Sequence, residues 1–318
     1  MKAALALAST AIAFVVCASA ASGTVAARNG RIAYAYVGAA DRSQIYTVTA
    51  AGGELRKLTR SRRYSSYSPS YAPHGFRMIF VRAWKQPDLW MMNGNGSHLR
   101  RLTWTKAIDE VEPSWSPDGT QIAFAVAWPS TKVGIWVVDS DGSHRRQLTT
   151  HGGGNTDGFP TWSPDGSQIA YARGGGIWTV PAAGGSPTQL TSPGSNVDGP
   201  YADFAPEWSP DGTRILFSTD REDPGESGDQ IDLWVINVAS ASPTPSVARL
   251  TNTPSRDERN GTWSPDGRFI AYDSTGTFRG ASSAQLAISL ADGAGSHFIT
   301  HSCGDCAYLN IQPSWQPR

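Results

Sequence analysis

The sequence predicts an all-β chain, a six-bladed β-propeller with four antiparallel strands per blade. Three observations predict it: a repeated aromatic-plus-turn motif, a period of blade length, and two chain ends that complete one another. The motif Trp-Ser-Pro-Asp-Gly starts at Trp115, Trp162, Trp208 and Trp263. A weaker copy is Tyr71-Ala72-Pro73-His74-Gly75, and another opens at Trp315-Gln316-Pro317. The six anchoring aromatics are spaced by about 44 to 55 residues, the period of a propeller blade.

Each motif reads as a chain reversal. Proline presets φ near −65° at the second position of a type I turn, aspartate tolerates the third, and glycine accepts positive φ. An apolar strand follows each turn, as in Ile122-Ala123-Phe124, Ile169-Ala170-Tyr171, Ile215-Leu216-Phe217 and Ile270-Ala271-Tyr272. A third strand carries a tryptophan at a matching place: Trp90, Trp136, Trp178 and Trp234. After a Gly-rich turn such as Asp141-Gly142-Ser143-His144, the unit ends on a short Leu-Thr strand. Copies are Leu58-Thr59, Leu102-Thr103, Leu148-Thr149, Leu190-Thr191 and Leu250-Thr251.

The ends close the ring. Arg31-Ile32-Ala33-Tyr34 is a second strand without a preceding tryptophan turn, and Pro313-Ser314-Trp315 is a first strand without a successor. The C-terminal strand is therefore expected to join the N-terminal blade, which removes the open sheet edges that invite aggregation. One propeller domain over residues 28–318 follows. A β-sandwich explains neither the period nor the complementary ends.

Composition agrees and narrows the function classes. The 318 residues hold 33 Gly, 21 Pro and 12 Trp, which suits short strands and tight turns. With 27 basic and 27 acidic residues, no polycationic field favours nucleic acid. Lys2, the apolar run Ala3 to Val16 and the Ala18-Ser19-Ala20 site read as a signal peptide over residues 1–20. The mature chain is then expected to be periplasmic or extracellular, without a transmembrane segment. A lipid anchor on Cys17 is disfavoured, because Val16 stands where a small residue is needed. Cys303 and Cys306, in Cys-Gly-Asp-Cys, are expected to pair as a local disulfide in an oxidising compartment.

The repeated Trp-Ser-Pro-Asp-Gly, apolar strand and Leu-Thr ending resemble the propeller repeat of TolB-like proteins. The resemblance covers about Arg28 to Arg318. It implies an exported binding scaffold, and it leaves the α/β domain that precedes the TolB propeller without a counterpart in the sequence. Similar propellers precede the hydrolase domain of prolyl-oligopeptidase-like peptidases, but no Gly-x-Ser-x-Gly nucleophile elbow occurs on a strand-to-helix pattern.

Two acidic features stand out. Five residues before the anchoring aromatics stand Ser66, Glu110, Asp157, Asp203, Glu258 and Asn310, a set the repeat is expected to bring around the channel mouth. Such oxygens suit Ca²⁺ or Mg²⁺, or a Lys or Arg side chain of a peptide. Equally, they suit bracing of their own loops through backbone N–H groups. The second feature is an insertion between second and third strands, with Asp220, Glu222, Asp223, Glu226, Asp229 and Asp232, expected on the same face as a partner loop. The basic residues Arg100, Arg101, Arg145 and Arg146 fall on outermost strands, where positive charge discourages edge pairing. His98, His144 and His297 occupy equivalent turns of different blades, too far apart to share one metal. Trp84, Trp104 and Trp128 break the repeat and are the residues a carbohydrate would stack on.

The expected function is thus a non-catalytic scaffold, a monomer, holding a protein or peptide of the cell envelope on its channel face, with no required cofactor. The alternatives are a propeller-type polysaccharide lyase or hydrolase, and a cell-surface carbohydrate-binding protein.

Overall fold

The computed structural model describes residues 29–37, 42–106, 108–127, 133–150, 157–196, 199–221, 230–238, 246–278, 281–300 and 312–317. They form six four-stranded antiparallel sheets arranged as a propeller. Blade one joins the two ends, with Ser314–Trp315 innermost, then Arg31–Val37, Ser43–Thr49 and Arg56–Lys57. Blade two is Ser65–Tyr71, Arg77–Ala83, Pro87–Asn93 and Arg100–Arg101, and blade three is Asp109–Trp115, Gln121–Ala127, Gly134–Asp139 and Arg146–Gln147. Blade four is Gly158–Trp162, Gln168–Arg173, Gly176–Pro181 and Thr188–Gln189. Blade five is Asp203–Trp208, Arg214–Thr219, Asp232–Asn237 and Ser246–Arg249, and blade six is Arg256–Trp263, Phe269–Phe278, Ala281–Leu290 and His297–Phe298. A two-stranded ribbon that the repeat does not foretell, Gly194–Asn196 with Gly199–Tyr201, lies between blades four and five.

The core is a ring of interfaces. Among the described residues six hydrophobic clusters occur, and each draws its residues from two neighbouring blades. Ile79 and Val81 of blade two pack with Ile122 and Phe124 of blade three, for example. The ring closes where Ile32, Val48 and Trp315 of blade one meet Leu286 and Ile288 of blade six.

The turn motif owes its persistence to hydrogen bonds that its own residues supply. The Ser116 hydroxyl donates to Asp118 Oδ1 at 2.6 Å and accepts from the Gln121 N–H at 2.9 Å. Ser163–Asp165, Ser209–Asp211 and Ser264–Asp266 repeat the 2.6 Å bond. Gly119 sits at φ +70°, which a β-carbon would strain. These bonds stabilise the charged carboxylates, so Asp165 and Asp211 are drawn down to about 2.

A second repeated bond explains the Leu-Thr ending. The threonine hydroxyl accepts from the N–H that opens the third strand of its own blade: Thr59 from Ile45, Thr149 from Ile135, Thr191 from Ile177 and Thr251 from Leu233, all at 2.9 Å. Thr300 does the same for Leu286 at 2.8 Å, in a copy the sequence pattern leaves out. A buried donor that the two-residue outer strand cannot reach is thereby satisfied.

Ring closure rests on few residues. Trp315 pairs with Ile32 and Ser314 with Ala33. Gln316 N–H donates to Arg31 O at 2.8 Å, and the Ser314 hydroxyl accepts from Tyr71 N–H of blade two at 3.0 Å. Trp315 is 4% exposed. Trp315→Ala should therefore cost about 3–5 kcal/mol, the range for truncating a buried aromatic. Urea unfolding monitored by circular dichroism measures it.

Candidate functional site: the channel and its carboxylates

The innermost strands surround a channel lined from the three positions before each anchoring aromatic: Ser68-Pro69-Ser70, Glu112-Pro113-Ser114, Phe159-Pro160, Ala205-Pro206-Glu207, Asn260-Gly261-Thr262 and Gln312-Pro313-Ser314. It holds about 130 Å³ of open space. A β-bulge in blades two to six puts these residues there, seen as a register shift such as Val111 to Ser114 and Arg259 to Thr262. At each bulge a non-glycine residue takes positive φ: Ser68, Glu112, Phe159, Ala205 and Asn260, at 49° to 55°. In four of these blades proline follows and removes the donor that the interrupted ladder would leave unpaired. Backbone in this region costs of order 1–3 kcal/mol per residue and is retained where the surrounding packing imposes it.

Two carboxylates, both absent from the sequence expectations, enter the channel. Glu112 Oε2 accepts the Phe159 N–H of the next blade at 2.6 Å, and Glu207 Oε2 accepts the Thr161 hydroxyl of the preceding blade at 3.1 Å. Neither has a cationic partner among the described residues. Half-buried in the channel wall, both carboxyls are pushed up to about 7 by the loss of water, and one hydrogen bond apiece only partly offsets this. Behind Asn260, whose amide donates to it at 2.9 Å, the buried Asp273 is raised to about 8 for the same reason.

The residues five before the aromatics stand elsewhere. Ser66, Glu110, Asp157, Asp203 and Glu258 are all buried, at 0–1% exposure. Asn310 lies outside the described residues. Asp157 receives Nε and Nη2 of Arg173 at 2.6 Å each, and the Thr149 hydroxyl of the preceding blade at 2.5 Å. Glu110 accepts from Thr105 at 2.8 Å, from Thr103 of the preceding blade and from Arg145. Arg221 meets Asp203 at 2.7 Å. These carboxylates thus link blades to one another and to arginines. Among the described residues no three His, Cys, Asp or Glu side chains gather as a metal-binding group.

Of the acidic insertion, Asp220 accepts the Ala202 N–H at 2.7 Å and Asp232 pairs with Arg249 at 2.7 Å. Burial nevertheless raises Asp232 to about 6. Glu222, Asp223, Glu226 and Asp229 lie outside the described residues, as do Cys17, Cys303, Cys306 and Trp128. Arg145, expected as an edge charge, instead turns inward over the Trp136 ring, 4.7 Å from its centre, to reach Glu110. Trp84 and Trp104 are exposed, at 47% and 76%.

The comparisons with known proteins agree with this architecture. The TolB beta propeller domain family matches residues 19–175. In fold the chain is a TolB-like β-propeller. TolB from Acinetobacter baumannii superposes with a TM-score of 0.71 at 22% identity, over 91% of this chain and 67% of that one. A putative TolB from Agrobacterium tumefaciens gives 0.61 at 18% identity, over 87% and 91%. The same fold serves an oligogalacturonate lyase from Vibrio parahaemolyticus, with a TM-score of 0.52, 16% identity and coverage of 76% and 70%. None of the curated proteins matches the sequence. At these identities the likeness is one of fold, and fold alone does not divide scaffolds from enzymes. No helix among the described residues of this TolB-like propeller is long and apolar enough to cross a membrane.

Two predictions follow from the carboxylates. A folded value near 7 against an ordinary value near 4.5 means that the folded state binds more protons between those pH values. The channel glutamates therefore favour folding most at low pH, and that contribution is lost as pH rises through 7. Glu112→Gln/Glu207→Gln should unfold like the parent at pH 4.5 and be more stable by about 1–3 kcal/mol per site at pH 8, measured by urea titration. Asp157→Ala should instead destabilise by about 3–5 kcal/mol at neutral pH, because Arg173 is left as a buried charge without its partner. The same titration checks it.

Proposed function

We propose that this TolB-like propeller is an exported, non-catalytic scaffold that holds a basic peptide segment of a protein partner at its channel. The observation that carries the reading is the pair Glu112 and Glu207, two channel-lining carboxyls with no cationic partner among the described residues. A Lys or Arg side chain entering the channel supplies the missing charge, restores ionisation and satisfies the remaining carboxylate oxygens. The bulged, proline-bearing strands hold both carboxyls on rigid backbone, so little ordering cost attends binding. Export by the segment 1–20 and the partner loop at 220–232 belong to the same reading.

Ca²⁺ or Mg²⁺ is the other hard charge the carboxylates suit, and a cation there would favour the lyase-like alternative. Fluorescence anisotropy with a fluorescein-labelled Lys-Gly-Lys-Gly peptide tests the proposal. Binding should be tighter at pH 8 than at pH 6, and Glu112→Gln/Glu207→Gln should weaken it about tenfold or more without lowering the melting temperature. Equal binding by parent and variant overturns the reading. A rise in melting temperature with millimolar Ca²⁺ or Mg²⁺, reversed by EDTA and lost in the variant, replaces the peptide with a metal.

A further inference from the structure

The repeat makes one departure informative. In blades three, four and five an arginine lies over the third-strand tryptophan: Arg145 on Trp136, Arg173 on Trp178 and Arg221 on Trp234, at 4.7 to 5.6 Å from the ring centres. Each of these arginines meets the buried carboxylate of its blade, Glu110, Asp157 or Asp203. Blade two keeps the arginine and the tryptophan and lacks the carboxylate.

There, Arg82 is held between two rings, 4.8 Å from the centre of Trp90 and 4.5 Å from that of Tyr64. It makes no hydrogen bond or ion pair among the described residues, and its Nε is shut off from water without an acceptor. Burial destabilises its charge, which lowers its proton affinity. Directly opposite across the strand pair stands Ser66, in the carboxylate's position. Ser66 is wholly buried and its hydroxyl is unpartnered. Two independent donors therefore share one place, and the sister blades fill that place with a carboxylate.

The surroundings extend the pattern outward. Arg63 and Lys85 are exposed nearby, Arg60 and Arg62 are exposed close to Arg63 in sequence, and none of the four forms an ion pair among the described residues. The Arg63 guanidinium stacks 3.6 Å from the centre of exposed Trp84, and Lys85 lies 5.2 Å from the same ring. A small anion would need Arg82 and Ser66 alone, whereas a run of positive charge leading to them matches a run of negative charge. Arg63 already covers a face of Trp84, which leaves less of the ring for sugar stacking.

We propose that the rim of blade two docks an acidic peptide segment of a partner protein, one carboxylate of which enters between Ser66 and Arg82. This surface is separate from the channel and takes a ligand of opposite charge. Anisotropy of fluorescein-labelled hexaglutamate tests it in the whole chain. Binding should weaken about tenfold in Arg82→Gln, and severalfold in Arg63→Ala/Lys85→Ala with a shallower salt dependence. Ser66→Asp supplies the carboxylate from within, as Asp157 does for Arg173, and should abolish binding while the melting temperature holds or rises. Should Ser66→Asp not fold, Arg82→Gln decides. The Glu112→Gln/Glu207→Gln variant should bind hexaglutamate like the parent, which keeps this test apart from that of the channel. Three results overturn the proposal: unchanged binding in both Arg82→Gln and Ser66→Asp, thermal stabilisation by acetate equal to that by the peptide, or binding of polygalacturonate but not of hexaglutamate.

Discussion

Each blade has two apolar faces and no core of its own, so a blade is stable only between two others. That constraint organises the chain. Ile79 and Val81 of one sheet find their partners on the next, and the pattern runs around six interfaces until Trp315 closes the last. Hydrophobic contact is non-directional, however, and cannot by itself fix how one blade sits on its neighbour. Direction comes from the polar bonds that cross the same interfaces. Thr149 reaches Asp157, Trp115 Nε1 reaches Ser70 O at 3.2 Å, and Trp263 Nε1 reaches Glu207 O at 3.3 Å. Because these groups are buried, leaving one unpaired is costly, and the register between blades is correspondingly specific.

The channel follows from the same packing. Six inner strands cannot all remain regular where they crowd around one axis, and in blades two to six the ladder breaks by one residue just before the anchoring aromatic. The break turns Glu112, Phe159 and Asn260 toward the axis and frees a position that proline can occupy. Backbone strain at the axis is thus held in place by the aromatics that anchor each strand in the interfaces outside it. What the channel gains is a set of side chains mounted on constrained backbone. Glu112 and Glu207 are placed by it where they lose water, and their proton affinity rises for that reason.

Much of this was legible in the sequence. Blade number, strand order, the closing role of Trp315 and the turn at Ser116-Pro117-Asp118-Gly119 all follow from periodicity and turn chemistry, and the structure has them. The threonine of the Leu-Thr ending was visible as a pattern but not as a bond, since its partner at Ile135 is a backbone N–H that no residue type marks. Glu112 and Glu207 are not marked by the repeat, because acids recur at another position, five before the aromatic. The signal that could have found them is proline. Pro69, Pro113, Pro160, Pro206 and Pro313 all stand two residues before an aromatic, and proline in a strand marks a bulge or an edge. The residue before or after such a proline is where the pleat fails and a side chain changes face. Arg145 departs from its expected edge role for a different reason. It stands just before the outer strand Arg146–Gln147, and its long side chain leaves that edge to join a buried carboxylate.

A near-symmetric ring also changes what a single substitution means. In an irregular fold, a serine at position 66 says nothing. Here the equivalent places of the next three blades hold Glu110, Asp157 and Asp203, each matched to an arginine that itself rests on a tryptophan. Retaining Arg82 on Trp90 without its acid keeps the cost of burying a guanidinium and gives up the ion pair that offsets it. Cation–π contact with Tyr64 and Trp90 offsets part of that cost, on the order of 0.5–2 kcal/mol per ring. A structural role alone would be served better by restoring the carboxylate, or by removing the arginine altogether. The arrangement that remains is one in which a charge from outside the chain completes the blade. The same reasoning applies in reverse at the axis, where Glu112 and Glu207 have no cationic partner among the described residues, unlike Glu110, Asp157, Asp203 and Asp232. Among the described residues, two sets of charge of opposite sign lack an internal partner, one at the axis and one on blade two, and the proposed docking of a basic and an acidic segment rests on them.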